Sequence, residues 1–421
     1  MKVKKFDFSV GKEEFRKLKK EVDWFLEVLK FKVNKKYDAD VFLGGSFAKG
    51  TLALSETYDA DIFVRFDWKY ENLSDLLENV LKEIIREHRM KMKRMHGSRD
   101  YFRVYKDNKL TFEIIPVLMI KRVREARNVT DLSYFHVRYV KKKLNGRMRK
   151  ELALAKKFFK AQGVYGAESY INGFSGYGLE CLIIYYKSFD KMLKELVKVK
   201  ENGRIVIDLG KFYKKKNEVF FELNESKLHS PVVLIDPTWK ERNVLASLSL
   251  ETFKKFQGVA AAFLKKPSEE FFYKKEFDES ELKRNKGEFV HLELETNRQE
   301  GDIAGTKMKK FSRLLEELLK EYFEILDREF VYSGEGNKAD VYFKLISKKK
   351  VIKKGPPLEK KKDASKFIRA HKSVSKRAGF VYAIVKIDFD GKEFLRRWNS
   401  SREGMFKKSD MGISKMAVVK V

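Results

Sequence analysis

The pair Asp59-Ala60-Asp61 has the clearest chemical capacity in this 421-residue sequence. It opens a short apolar run, Ile62-Phe63-Val64, that reads as a strand. Alternate residues of a strand face the same way, so the two carboxylates project together. Upstream, Val41-Phe42-Leu43 reads as another buried strand, ended by Gly44-Gly45-Ser46. Gly45 allows close backbone approach, and Ser46, at a helix start, offers a hydroxyl and backbone N–H groups to a triphosphate. A third acid, Glu113, lies inside the run Thr111-Phe112-Glu113-Ile114-Ile115, where a charge costs free energy unless it is paired or metal-bound. Carboxylates so arranged can hold two Mg²⁺ ions, which activate an attacking hydroxyl and neutralise charge on the phosphates of an incoming nucleotide. Alone, a Gly-Ser pair is commonly a turn and an Asp-x-Asp a solvated strand edge. The ordered set is what carries the signal.

The elements that must position these residues form an α+β pattern. Phe15, Leu18, Val22, Phe25 and Leu29 make a helical stripe over residues 11–31, and residues 73–90 are helical again. Residues 101–105 and 110–116 flank Lys106-Asp107-Asn108-Lys109 as a hairpin. This mixed sheet with helices predicts a catalytic domain over residues 1–145. From residue 146 to 264 the pattern turns mostly helical. One helix carries Met148, Leu152, Ala155 and Phe159 and stops at Gly163, and another runs from Leu179 to Phe189. A third carries Phe253, Phe256, Ala260 and Phe263 behind Ser249 as N-cap. Residues 265–421 predict a C-terminal α/β body: a strand over 289–294, a long helix over 307–328, and strands near 341–346 and 380–387. Between the last two strands the stretch from Lys348 to Arg377 is very basic and is broken by Gly355-Pro356-Pro357.

Charge narrows the partner. Lys and Arg number 92 against 61 Asp and Glu, a formal net charge of +31. Such an excess favours a polyanion, and nucleic acid before an anionic membrane, because the basic residues are spread along the chain. The single cysteine, Cys181, excludes an internal disulfide framework and a Cys-rich zinc site, and the six histidines form no HExxH motif. No apolar run approaches the ~20 residues needed to span a bilayer, and the N-terminus has no signal-peptide pattern. A soluble, cytoplasmic protein with no membrane association is expected.

The order strand, Gly45-Ser46, Asp59-x-Asp61 on a strand, then strand-borne Glu113 is that of the nucleotidyltransferase superfamily shared with DNA polymerase β-like enzymes. Along most of its length the chain further resembles the archaeal, class I CCA-adding enzymes of tRNA. The matching stretches are Gly45-Ser46-Phe47-Ala48-Lys49, Asp131-Leu132-Ser133-Tyr134-Phe135-His136, and Lys160-Ala161-Gln162-Gly163-Val164-Tyr165-Gly166-Ala167-Glu168. Gly173-Phe174-Ser175-Gly176-Tyr177, Asp236-Pro237, Arg242-Asn243-Val244 and Gly355-Pro356-Pro357 also match. The resemblance implies addition of C, C and A to the tRNA 3′ end from CTP and ATP. It implies that Gly45, Ser46 and Lys49 meet the triphosphate, that His136, Lys156 and Tyr165 line the nucleotide pocket, and that Arg242 helps read the base. Asp59 and Asp61 would bind both metals, and Glu113 would help bind the catalytic one. The helical segment would complete the pocket, and the basic C-terminal body would grip the acceptor arm. The pattern departs at Glu113, where the family usually has Asp, and after Met416-Ala417-Val418-Val419, where the family usually continues through another helical stretch; Lys49 also stands where it usually has Arg. The sequence leaves open a poly(A) polymerase-like or oligoadenylate-forming enzyme, a non-catalytic RNA-binding relative, and a homodimer.

Overall fold

The structure, a computed structural model, describes residues 6–97, 99–200, 203–284, 286–297 and 300–419. Close contacts divide it into two units, one up to Lys275 and one from Glu276 onward. The first begins with helix α1 (Lys12–Asn34), whose stripe Leu18, Val22, Phe25, Leu29 and Val33 is buried. Strand β1 (Ala39–Leu43), the short helix α2 (Gly45–Lys49) and strand β2 (Tyr58–Phe66) follow. Helix α3 (Leu73–His88) then leads to β3 (Lys91–Met95), β4 (Tyr101–Tyr105) and β5 (Leu110–Leu118).

These strands form one sheet in the order β1-β2-β5-β4-β3, in which only β2 and β5 run parallel. The hairpin expected between residues 101 and 116 is present. Asp107 Oδ1 accepts from the amides of Lys109 and Leu110 at 2.7 and 2.8 Å and so fixes its turn. Strand alternation sorts the sheet into two faces. Tyr58, Ala60, Ile62, Val64 and Phe66 join Phe112 and Ile114 in a core shared with α1 and α3, where Phe25 stacks on Phe112 with ring centroids 4.1 Å apart. Asp59, Asp61 and Glu113 are left on the opposite face, next to a smaller apolar cluster of Phe63, Ile115 and Val117.

The rest of the first unit has a core of its own. It contains α4 (Ser133–Lys143), α5 (Gly146–Ala161), α6 (Gly176–Tyr186) and α7 (Phe189–Val197). Strand β6 (Ile205–Asp208) follows, then the single turns α8 (Val219–Glu222) and α9 (Glu225–Leu228), and strands β7 (Val232–Asp236) and β8 (Trp239–Asn243). Helix α10 (Leu250–Lys265) ends the set, with Ser249 Oγ accepting from the Thr252 amide at 3.1 Å as the sequence predicts. Phe158, Phe159, Phe174, Phe189, Phe253, Phe256, Phe263 and Phe272 fill its interior. One expectation fails here. The helix read from Leu179 to Phe189 is two helices, because Lys187 turns left-handed at φ +66° and Ser188 caps α7. The mostly helical segment also contains a three-stranded sheet, β6-β7-β8. Its central strand is buried along its whole length, and a continuous apolar run such as Val232-Val233-Leu234-Ile235 has no period to distinguish strand from helix.

The second unit has a short helix α11 (Glu279–Arg284), then β9 (Glu288–Thr296) and α12 (Gly301–Tyr322). Strands β10 (Phe323–Val331), β11 (Lys338–Ser347) and β12 (Lys350–Pro357) follow, then α13 (Lys361–Ala370), β13 (Val374–Arg377) and β14 (Phe380–Lys386). Helices α14 (Gly391–Ser400) and α15 (Arg402–Asp410) and strand β15 (Ile413–Val418) complete it. An antiparallel sheet β10-β11-β9-β15 packs against α12, and a smaller sheet β12-β14-β13 against α13. The long helix expected to reach residue 328 stops at Tyr322. Beyond it Phe323 and Ile325 alternate inward as an edge strand paired with β11, and Leu326 is left exposed. The basic run from Lys348 to Arg377 is thus ordered as β12, α13 and β13. Among the described residues no helix is long and apolar enough to cross a membrane.

Candidate active site

The approach of β1 to β2 fixes the first part of the site. The Gly44 amide donates to the Asp61 carbonyl at 2.7 Å, and the next residue, Gly45, adopts φ +52°. A Cβ at position 45 would lie 1.7 Å from Asp61 Oδ2, so only glycine leaves room for that carboxylate. Ser46 follows in the first turn of α2. Across the parallel register Asp61 stands opposite Glu113, and across the antiparallel register Arg103 of β4 stands opposite Glu113. Arg103 Nε donates to Glu113 Oε1 at 2.8 Å.

These carboxylates crowd one another. Burial pushes Asp61 up to about 6, and the charge of Asp59 adds to this against the pull of Lys49 and Lys156. Burial likewise pushes Glu113 up to about 7, with the charges of Asp61 and Asp59 outweighing Arg103. Among the described residues no three acidic or imidazole side chains converge closely enough to hold an ion as they stand. The donor set nonetheless fits a hard divalent cation: it is all oxygen, and its own repulsion is what such a cation relieves.

Buried cations lie near the acids, one from α2 and one from the helical layer. Lys49, at the end of α2, is buried and its Nζ donates to Glu180 Oε2 of α6 at 2.8 Å. Lys156 of α5, also buried, donates to the carbonyl and hydroxyl of Thr51 at 3.0 and 3.2 Å. Burial pulls the Lys156 ammonium down to about 8, although Glu180 opposes this. Tyr165 is half-buried nearby, and a Cβ on Gly176 would come within 2.7 Å of its hydroxyl, so a side chain there would displace the ring. Burial, then the charges of Glu180 and Asp61, push that hydroxyl well above its ordinary range.

A second buried acid organises the opposite wall. Asp236 ends β7 with no exposure, and its Oδ2 receives Arg242 Nη1 at 2.6 Å and lies 3.0 Å from His136 Nε2. Its Oδ1 accepts from the hydroxyls of Thr238 and Tyr177 at 2.7 and 3.2 Å. These partners hold Asp236 far below the usual carboxylate range despite its burial. The His136 ring stacks on Tyr177 at 3.9 Å, and Lys49 Nζ lies 5.7 Å from the centre of the same Tyr177 ring. Lys49, Tyr177, His136, Asp236 and Arg242 therefore form one continuous chain of contacts across the first unit.

All ten residues singled out from the sequence fall in this unit. Five further participants were not singled out: Arg103, Thr51, Tyr177, Glu180 and Asp236. Glu180 had a readable signal, because a lone acid in Leu179-Glu180-Cys181-Leu182-Ile183 invites the same argument as Glu113. Asp236 belonged to a matching stretch without an assigned role.

Two family models match the chain: one described as a nucleotidyltransferase domain over residues 22–129, and one described as tRNA nucleotidyltransferase, second domain, over residues 150–273. The CCA-adding enzyme of Nanoarchaeum equitans (strain Kin4-M) is 37% identical over 389 residues, covering 91% of this chain and 92% of that protein. The chain belongs to the CCA-adding enzyme family. The CCA-adding enzyme of Saccharolobus islandicus (strain M.14.25 / Kamchatka #1) is 32% identical over 332 residues, or 78% of this chain and 75% of that one. A solved structure of the RNA terminal uridylyl transferase Cid1 aligns with a TM-score of 0.49 at 14% identity, covering 64% of this chain and 95% of that one. In this CCA-adding enzyme family member the first family model spans Asp59, Asp61 and Glu113, and the second spans Lys156, Tyr165 and Arg242.

The crowding has a measurable consequence. Asp61 and Glu113 keep protons in the folded chain at pH values where unfolded carboxyls, at about 4, have lost them. Stability contributed by these groups therefore falls as pH rises from about 4 to about 7 in metal-free protein. Metal-free Asp61→Asn should melt above the parent at about pH 8, with the difference shrinking toward about pH 5. An equal difference at both pH values would show that the charge of Asp61 carries no such penalty.

Proposed function

We propose that this chain completes the 3′ end of tRNA with C, C and A, by attack of the terminal hydroxyl on the α-phosphorus of CTP or ATP with loss of pyrophosphate. The observation that carries this reading is the continuous chain from Lys49 through Tyr177 and His136 to Asp236 and Arg242, beside the Asp59, Asp61 and Glu113 face. In this reading Lys49 and Lys156 would bind phosphate and the Arg242 guanidinium would suit a base edge. Asp59, Asp61 and Glu113 are the residues that would hold Mg²⁺, which when bound supplies charge neutralisation and a more acidic attacking hydroxyl.

The remaining steps belong to the chain's own side chains. Gly45 and Ser46 bring backbone and hydroxyl donors to the triphosphate, and Lys49 and Lys156 oppose its charge. Tyr165 offers a ring face and a hydroxyl at the same end of the pocket. Burial pulls His136 below its ordinary range, against the hydrogen bond and charge of Asp236 that hold it in place. Arg242 spends one donor on Asp236 and keeps others for directed bonds to a base edge. The exposed lysines of the second unit, among them Lys350, Lys354, Lys360, Lys361 and Lys362, suit the phosphates of an A-form acceptor arm.

Incubating the protein with tRNA lacking CCA, Mg²⁺, CTP and ATP should give a product that stops after three added nucleotides; an open-ended tail would replace this reading with a poly(A) polymerase-like one. Asp61→Ala should lower turnover in that assay by ~10²–10³-fold or more while tRNA stays bound, the scale seen when preorganised charge stabilisation is removed. Near-normal turnover of the variant would remove Asp61 from the mechanism.

Arg242→Lys keeps the charge and loses the planar fork. It should relax discrimination against UTP and GTP, whereas equal slowing of all nucleotides would make Arg242 an electrostatic contact only. The logarithm of tRNA affinity should fall steeply with the logarithm of salt concentration. Neutralising Lys360, Lys361 and Lys362 together should flatten that slope without changing CTP binding. An unchanged slope would place the RNA elsewhere.

A further inference from the structure

Glu180 is the least solvent-accessible charge in the first unit's cation cluster, with 2% exposure in the middle of α6. Its Oε2 accepts from Lys49 Nζ at 2.8 Å and its Oε1 from Thr51 Oγ1 at 3.1 Å. Lys156 Nζ lies 3.7 Å from Oε1 and is bound to both oxygens of Thr51. One carboxylate thus ties together three chain segments: the end of α2, the loop after it, and α5. Two ammonium groups buried side by side would repel each other and lose solvation, and a single buried anion offsets both costs. The arrangement leaves the cluster with one net positive charge and with ammonium hydrogens still unused.

We infer that Glu180 is a positioning residue for nucleotide: it holds Lys49 and Lys156 as a preformed pair aimed at the triphosphate. This rests on the reading of the pocket given above. Glu180 does not touch the nucleotide in this arrangement. It acts by fixing where the two cations sit before substrate arrives, so their ordering is not charged against binding. Its influence falls on the part of the nucleotide that CTP and ATP share, in contrast to Asp236, which holds the base-facing Arg242.

The test uses full-length protein and inorganic tripolyphosphate as the probe, with CTP and ATP kinetics alongside. Glu180→Gln keeps the shape and removes the charge. It should weaken tripolyphosphate binding by about tenfold or more, the scale of a lost hydrogen bond to a charged group. It should raise KM for CTP and ATP by the same factor, leave their ratio unchanged, and leave tRNA affinity unaltered. Glu180→Asp, which retains the charge, should recover part of the loss. If Glu180→Gln does not fold, Thr51→Val carries the test: it deletes only the hydroxyl between Glu180 and Lys156, and should shift tripolyphosphate binding in the same direction by a smaller factor. A folded Glu180→Gln that melts earlier but binds tripolyphosphate like the parent would make Glu180 a structural tie and overturn the inference alone. A parent that binds neither tripolyphosphate nor CTP would overturn the nucleotide reading of the pocket and this inference with it.

Discussion

The Asp61 carboxylate occupies the space in which a side chain at position 45 would stand, and much of the first unit follows from that exclusion. Because Gly45 can adopt φ +52°, the chain turns directly from β1 into α2 beneath the acid. That turn ends at Gly50, also left-handed at φ +63°, and it places Lys49 and Thr51 toward the helical layer. A β-carbon at position 45 would push Asp61 away from its place opposite Glu113 or open the junction of β1 and β2. The glycine is therefore a packing requirement of the acid face before it is a contact for any ligand.

Placing so many charges in one half-buried space requires a compensation scheme, and the acids and bases follow different ones. The cations are each answered by a buried carboxylate contributed from the helical layer or its small sheet: Glu180 answers Lys49 and Lys156, and Asp236 answers Arg242 and faces His136. Breaking such a pair by deleting one partner strands the other charge, which typically costs ~3–5 kcal/mol. The sheet acids are answered only in part. Arg103 meets Glu113, but Asp61 and Glu113 remain raised by burial and mutual repulsion. Each cation has a carboxylate of the chain beside it, although Lys49 and Lys156 share one, and the acid side retains an unmet demand for positive charge. That asymmetry is what a site built for a divalent cation and a polyanionic substrate requires.

The parts of this arrangement that were legible in the sequence are those set by local periodicity. Asp59 and Asp61 share a face because strand residues alternate, and Glu113 betrays itself as an acid within an apolar strand. The Lys106–Lys109 turn and the Ser249 cap are likewise local chemistry. What escaped depends on contacts distant in the chain. Asp236 reaches His136 across 100 residues, and Glu180 reaches Lys49 across 131. Strand β10 escaped for a related reason: Leu318, Tyr322 and Leu326 continue a helical spacing, and only the open edge of β11 makes period two win from Phe323 onward. The family resemblance supplied several residues that periodicity could not, including Lys156, Tyr165 and Arg242, yet it assigned no role to the two buried acids paired with Lys156 and Arg242.

Glu113 shows how a departure from the family pattern is absorbed. Glutamate reaches one methylene further than aspartate and has one more rotatable bond to fix, which costs free energy on ordering. Here Arg103, directly opposite on β4, takes Oε1 at 2.8 Å and immobilises the longer side chain against the sheet. Burial still dominates, and Glu113 stays raised to about 7, so Arg103 moderates the crowding without discharging it. An arginine in this register therefore ties down the extra length that a shorter acid would not have.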